Sequence, residues 1–395
     1  MHITTTKTGE RVIVDPAVTN SRIFLYFYMC INIGSLVGQI SMVFAEKYVG
    51  FWLAFMLPTV LFLIAPLVMQ SFKKKYRLTP PTGSVLAKFF TMFGAAMKGK
   101  WSLNFAKMRR EFTWDVVRPS MIPVAERPKW MTYDDAWVDE VRRGLNACKV
   151  FLFLPLYWLA YSQMTNNLTS QAATMVLNGA PNDLIQNLNP ISLVIMIPIM
   201  DFVIYPALRK AHINFTPLKR IFAGFMFATA AMISATVIQY YIYKLGPCGD
   251  QASECDDPAP INVWVQTIPY VLIGFSEIFA SITSLEYAFS KAPTNMRSLV
   301  MAINLLMTAF SSALAQALVS LSEDPLLVWN YTVVSILAFV GGIGFWWCFH
   351  QLDRDEDKWN MIKTTNYLGK TAAGTPGITH DVDEAEISVD DARKA

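Results

Sequence analysis

Glu277 is the side chain in this sequence best placed to do chemistry. It stands in Ile273-Gly274-Phe275-Ser276-Glu277-Ile278-Phe279, near the middle of a long apolar stretch. Burying a charge in a bilayer costs about 2.5–3.5 kcal/mol on insertion scales, so it persists where it has a task or a partner. A desolvated carboxylate can take up a proton or hold a cation such as an ammonium. No Lys or Arg lies at the same depth of any apolar stretch, which favours a ligand over a structural pair. Ser276 precedes it and is a candidate for the same site. Glu286 follows nine residues later, about 13 Å along a helix, and lies close to Lys291. A structural pair or a gate contact suits it better than a ligand contact. Asp201 sits two turns before Arg209, and Lys149 opens a neighbouring stretch on the same side. Asp201 and Lys149 are candidates for a closing salt bridge, with interfacial snorkelling as the other reading.

Three amides join these carboxylates. Asn189 precedes Pro190 at the start of an apolar stretch. Its amide can donate to and accept from a peptide bond at once, or it can cap the helix that follows. Asn32 lies inside the first stretch, beside Gly34 and Ser35. It can line a cavity or bond a neighbouring helix. Gln163 ends Tyr157-Trp158-Leu159-Ala160-Tyr161-Ser162-Gln163, where the aromatic rings suit a membrane interface and Ser162 and Gln163 suit a polar cavity.

The elements that carry these residues follow from composition. Of 395 residues, 53 % are hydrophobic and 16 % charged, with a mean hydropathy of +0.33 and a net charge of +3. That is too apolar for a disordered chain, and the charge gives no reason to expect nucleic acid. Eight apolar stretches stand out, at about 23–45, 51–69, 150–173, 190–208, 221–243, 263–289, 298–321 and 328–349. Each is long enough to cross a bilayer as a helix, and lipid-exposed irregular backbone is too costly. The expected class is therefore an all-α polytopic membrane protein. With the N-terminus inside, every Lys and Arg except Lys47 and Lys244 falls on the inner side. Both termini are then cytoplasmic. Pro155, Pro198 and Pro269 should bend their helices.

The connections are unequal. Residues 73–149 form a long basic linker that opens with Lys73-Lys74-Lys75-Tyr76-Arg77. Within it, LAKFFTMFGAAMKGKW has the spacing of a surface-lying amphipathic helix, or of a short helix in a solvated linker. An outer loop carries Cys248 and Cys255, which are candidates for a disulfide in an oxidising compartment. Residues 353–395 are polar and end in HDVDEAEISVDDARKA, the composition of a disordered tail. No HExxH, GxSxG, P-loop, GxGxxG or CxxC motif occurs, and no metal-ligand cluster, so neither an enzyme nor a cofactor is expected.

Several runs resemble the proton-coupled oligopeptide transporter family. Phe27-Tyr28-Met29-Cys30-Ile31-Asn32-Ile33-Gly34-Ser35-Leu36 resembles its FYxxxNxGSL motif. Asn189-Pro190-Ile191 through Pro198-Ile199-Met200-Asp201 to Tyr205-Pro206 resembles its eighth helix. Phe275-Ser276-Glu277-Ile278-Phe279 through Leu285-Glu286-Tyr287-Ala288 to Met296-Arg297-Ser298 resembles its tenth helix and the loop beyond. The run from Pro155 to Asn167 looks most like fungal members, and the resemblance covers about residues 9–352.

The resemblance implies a major facilitator fold of twelve helices in two six-helix bundles. It places residues 1–72 as the last two helices of a first bundle and 150–352 as a complete second bundle. It implies proton-coupled symport of di- and tripeptides across the plasma membrane, with protons as the coupling ion. Glu277 would hold the peptide amino terminus, Asn189 the peptide backbone, and Asn32 the cavity wall, with Trp158 and Tyr28 close by. No counterpart of the family's first four helices is present, with their ExxER motif and basic groups, so the chain reads as truncated and its own proton coupling is open. Ser162 stands where animal members have an Asp, and Asn304 where a Trp is frequent. The expected partners are small peptides and lipid, in a monomer. Two rivals are kept: a carrier of nitrate or another small nitrogen compound on the same scaffold, and a membrane fragment that transports nothing.

Overall fold

The computed structural model describes residues 2–5, 11–14, 16–76, 85–98, 113–123, 126–128, 130–179 and 182–352. The tail 353–395 and much of the basic linker lie outside the described residues. Among the described residues, eight helices are long and apolar enough to cross a membrane. They match the eight stretches expected from sequence.

A small hairpin, β1 (His2–Thr5) and β2 (Arg11–Val14), comes first. Helix α1 (Pro16–Tyr48) and helix α2 (Phe51–Ser71) form the first antiparallel pair. Their turn closes on Gly50, whose φ of 127° suits a residue without a side chain. The Gly50 N–H donates to Ala45 O at 2.9 Å. α2 contacts α1 and buries only Ala54. Its remaining surface is apolar and faces outward, as lipid contact requires.

Helix α3 (Val85–Met97) is the amphipathic segment of the linker. Met92 and Ala96 on its apolar face are buried in the same core as Val117, Tyr133 and Trp137. The chain therefore covers part of that face itself. Tyr133 donates to Val117 O at 3.2 Å, and burial pushes its phenol up to about 12.

The third span, α4 (Asp135–Ala173), starts fifteen residues before the apolar stretch that marked it. Its first section, Asp135–Lys149, is capped by Asp134, which accepts from the Trp137 N–H at 2.9 Å. Trp137, Val138 and Val141 line one buried stripe, while Asp139, Arg142 and Arg143 hold the other face. The charged face hides this section from any hydropathy window. The linker thus ends near residue 134, not 149. A 3-10 turn (Val150–Phe153) leads into Leu154–Ser162, with Pro155 in its first turn, and Asn167–Ala173 completes the span.

Five more spans follow: α5 (Leu184–Lys210), α6 (Pro217–Leu245), α7 (Val263–Lys291), α8 (Arg297–Ala317) and α9 (Leu327–Phe349). α5 and α7 each contain one π-helical turn, Met200–Ile204 and Ile278–Ile282. The first follows Pro198, which lacks the N–H a regular helix would use. The second follows Glu277 directly. Such turns re-aim side chains and recur at functional sites.

α6 is the hub of the block, packing on α7 and α9. Small residues allow the approach. A Cβ on Gly224 would lie 2.7 Å from the Ala280 N, and one on Gly342 2.8 Å from the Phe225 Cβ. Apolar helices gain little by leaving apolar lipid, so close packing and interhelical hydrogen bonds must hold them. α1 joins this block through a second core of Leu25, Leu193, Ile197, Met200, Ile278, Phe279 and Ile282. Strand β3 (Met175–Val176) pairs in parallel with β4 (Ala259–Asn262), which packs on α6. The loop before β4 carries a disulfide between Cys248 and Cys255, with Cα atoms 5.8 Å apart.

Candidate functional site

Four helices converge on Glu277. The carboxylate is 2 % exposed on α7. Its Oε1 accepts from the Tyr28 hydroxyl on α1 and from the Tyr161 hydroxyl on α4, the latter at 3.3 Å. Its Oε2 accepts from Asn189 Nδ2 on α5 at 2.9 Å. Among the described residues, no ion pair joins Glu277 to a Lys or Arg. A carboxylate has about four acceptor positions, and three are taken. The chemistry left is that of an acceptor for one more donor, charged or not.

The surrounding groups extend that chemistry. Asn189 Oδ1 is buried without a hydrogen-bond partner, and so is Trp158 Nε1. A leftover acceptor on a residue that holds the carboxylate, and a leftover donor on the ring that packs against Tyr161, match the mixed donors and acceptors of a peptide unit with a free amine. Asn189 does not cap its helix: Asn187 occupies the cap position, and no side-chain cap bond forms there. Gly274 lets α7 approach α5 closely beside Asn189, since a Cβ there would strike Ser192 Oγ and lie 3.4 Å from Asn189 Oδ1. Trp158 packs edge-on against both Tyr157 and Tyr161 at 5.2 Å, which fixes the Tyr161 ring beside the carboxylate.

Other expected site residues make their hydrogen bonds to groups other than Glu277. Asn32 is buried but donates to Tyr28 O at 3.0 Å within its own helix, so it supports the Tyr28 turn. Ser276 donates to Gly224 O at 2.9 Å and joins α7 to α6. Gln163 donates to Leu159 O and accepts from Asn167, mending the helix break at the end of Leu154–Ser162. Asn304 donates to Ser284 Oγ at 3.4 Å. Tyr161 was not singled out in the sequence, where it reads as one more interfacial ring. Its spacing of four from Tyr157 was the available signal.

A second polar cluster occupies the end of the block where α1 begins. Asp201 meets Arg22 Nε at 2.9 Å and the Tyr26 hydroxyl at 3.1 Å. This corrects the expected pairing of Asp201 with Lys149, which donates to Asn146 Oδ1 at 2.7 Å instead. Arg22 reaches Asp201 because α1 packs along α5, whereas Lys149 belongs to a section of α4 that packs on α7 and α8. Glu286 pairs with Arg220 Nη1 at 3.5 Å, and the same nitrogen donates to Ser21 Oγ at 3.2 Å. The Arg220 guanidinium lies over the Tyr205 ring at 4.6 Å.

Eight spans among the described residues, with a buried carboxylate where four of them meet, define a polytopic membrane protein. Residues 9–334 match the family described as PTR2, POT family. The chain belongs to that family. It is 42 % identical to the probable peptide transporter ptr2 of Schizosaccharomyces pombe, over 99 % of this chain and 62 % of that protein. It is 41 % identical to the peptide transporter PTR2 of Saccharomyces cerevisiae, over 90 % of this chain and 56 % of that one. The chain therefore spans about 60 % of the length of these relatives. Its fold resembles the in meso crystal structure of the POT family transporter PepTSo, with a TM-score of 0.61 and 22 % identity, over 86 % of this chain and 71 % of that one.

Proposed function

We propose that the protein carrying this chain moves di- and tripeptides across the plasma membrane together with protons. The observation that carries this reading is Glu277: a buried carboxylate with no basic partner in the described structure, held by three neutral donors from three other helices. In this reading the peptide ammonium takes the remaining acceptor position, Asn189 Oδ1 accepts from the same ammonium or the first peptide N–H, and Trp158 Nε1 donates to a peptide carbonyl. A free ammonium and a proton compete for one carboxylate, which is the elementary condition for coupling their movement. The relatives that are named peptide transporters support the substrate class.

The cluster at the start of α1 then acts as a latch. Arg22 and Ser21 tie α1 to Asp201 and to Arg220 across the seam between α1 and the six-helix block. Rocking of one block against the other must break these bonds. We place this end and both termini in the cytoplasm, following the distribution of Lys and Arg.

The test is uptake of a labelled dipeptide by a protein of relatives' length that includes this chain, with Glu277→Gln. Uptake should disappear while the protein still reaches the membrane. Undiminished uptake would remove the central residue of this reading.

A further inference from the structure

The three donors on Glu277 do not stand on the same side of the seam. Tyr161 and Asn189 belong to α4 and α5, inside the six-helix block that carries the carboxylate itself. Tyr28 belongs to α1, which meets that block across the second core. Tyr28 and Tyr161 therefore donate to one oxygen, Oε1, from the two sides of the seam.

The place of Tyr28 along α1 gives this difference its weight. Leu25 is the buried α1 member of the second core, and Phe24, Tyr28 and Met29 pack against it. The latch residues Ser21, Arg22 and Tyr26 lie toward the start of the helix. Among the described residues, nothing on α1 beyond Met29 joins that core. From Ile31 to Lys47 the helix runs on for about 24 Å, with Ile31, Ile33 and Val37 exposed. The Tyr28 hydroxyl thus ties α1 to the block at the edge of the packed part of the seam. On α7, the buried core members are Ile278, Phe279 and Ile282, all in the π-helical turn that follows Glu277. The carboxylate and the surface that α1 packs on share one stretch of α7.

Donation from a hydroxyl to a carboxylate is charge-assisted and about twice as strong as donation to a neutral group. A proton on Glu277 removes that charge, and an ammonium shares it. For Tyr161 and Asn189 the change stays within the block. For Tyr28 it changes the free energy of holding α1 in place, and a load shifts an equilibrium only through such a difference between its two states.

We propose that Tyr28 is the positioning residue that couples the load on Glu277 to the attachment of α1. With Glu277 charged and empty, the Tyr28 hydroxyl holds α1 against α7. With a proton or an ammonium on Glu277 the tie weakens, and the end of α1 away from the latch leaves the block first. This deepens the reading given above and rests on it for the identity of the load.

The experiment is a double-mutant cycle on the full chain in phosphatidylcholine nanodiscs, without peptide, in mildly alkaline buffer that favours the charged carboxylate. Spin labels are attached at Lys47→Cys on α1 and Trp264→Cys on α7, both exposed positions, with Cys30, Cys148 and Cys348 changed to Ser. Pulsed electron resonance reads the ratio of closed to open molecules. Tyr28→Phe keeps the ring that packs on the second core and removes the hydroxyl alone. It should lower the closed-to-open ratio at least about tenfold. In a Glu277→Gln background its effect should be smaller by at least about threefold. Tyr161→Phe removes a donor from the same oxygen within the block, and should leave the ratio within about twofold of wild type. An equal effect of Tyr28→Phe in both backgrounds would mark a packing role and overturn the proposal. No effect of Tyr28→Phe, or an equal effect of Tyr161→Phe, would also overturn it. Should Tyr28→Phe not assemble, Glu277→Gln alone must still lower the ratio, and an unchanged ratio overturns the proposal. The cycle contains no peptide, so it can fail while Glu277 still holds a peptide ammonium, and the uptake test can fail while the cycle holds.

Discussion

Replacing Glu277 by Gln isolates the charge from the shape. The amide has the same length and keeps one acceptor for Tyr28, Tyr161 or Asn189. Its Nε2 meets donors on the other side, but a tyrosine hydroxyl can turn to accept. The variant also loses a buried charge that has only neutral partners. These effects oppose one another, so thermal stability should change little. Ligand binding should change greatly. Removing one side of a buried, hydrogen-bonded charge pair costs about 2–5 kcal/mol, which corresponds to about 30-fold to several-thousand-fold in Kd. An N-acetylated dipeptide has no ammonium and should bind the two proteins about equally. The assay is competition by free and N-acetylated dipeptides against a labelled dipeptide, in wild type and variant, with melting followed in parallel. Wild type should prefer the free peptide and the variant should not. If the variant keeps that preference, or binds free dipeptide within about threefold of wild type, then Glu277 is not the ammonium site and the argument from its missing basic partner fails.

Tyr161→Phe removes one neutral donor worth about 1 kcal/mol, and should weaken dipeptide binding about fivefold with membrane insertion unchanged. Asp201→Arg should destabilise the attachment of α1, since it places two arginines together, and Arg22→Asp added to it should restore stability; a melting curve for both proteins reads the rescue. Gly224→Val should cost at least about 1–3 kcal/mol, because the new side chain meets the Ala280 backbone N and the Ser276 carbonyl instead of movable atoms; fluorescence-detected thermal unfolding measures it. Gly274→Ala should leave expression intact yet lower dipeptide affinity, since the methyl group meets Ser192 Oγ beside Asn189; a dissociation constant equal to wild type would show that this wall does not touch the ligand.

The parts of the site that were legible in the sequence are those that break a local rule. Glu277 is visible because a carboxylate in an apolar run has no local explanation. Asn189 was visible but ambiguous, since Asn before Pro suits a cap as well as a site; the helix rules out the cap by starting two residues earlier, at Leu188 with Asn187 in the cap position. Tyr161 obeys every local rule for an interfacial ring and so gave no signal. Ser276 adjoins Glu277 in sequence but points about 100° away around the helix, toward Gly224. The first section of α4 escaped because its charged face outweighs Trp137, Val138 and Val141 in any averaged hydropathy.

The sequence alone determined the class and the number of spans. A bilayer admits few backbone solutions, so length and hydropathy suffice to count helices. It also marked Glu277 as a candidate site, because a carboxylate in an apolar run has no local explanation. Which groups meet Glu277 and Asp201 was decided by tertiary structure. Arg22 and Lys149 are both basic residues near Asp201 in depth, and spacing along the chain says nothing of distance across a bundle. Only the packing of α1 along α5, and of early α4 against α7 and α8, chose Arg22.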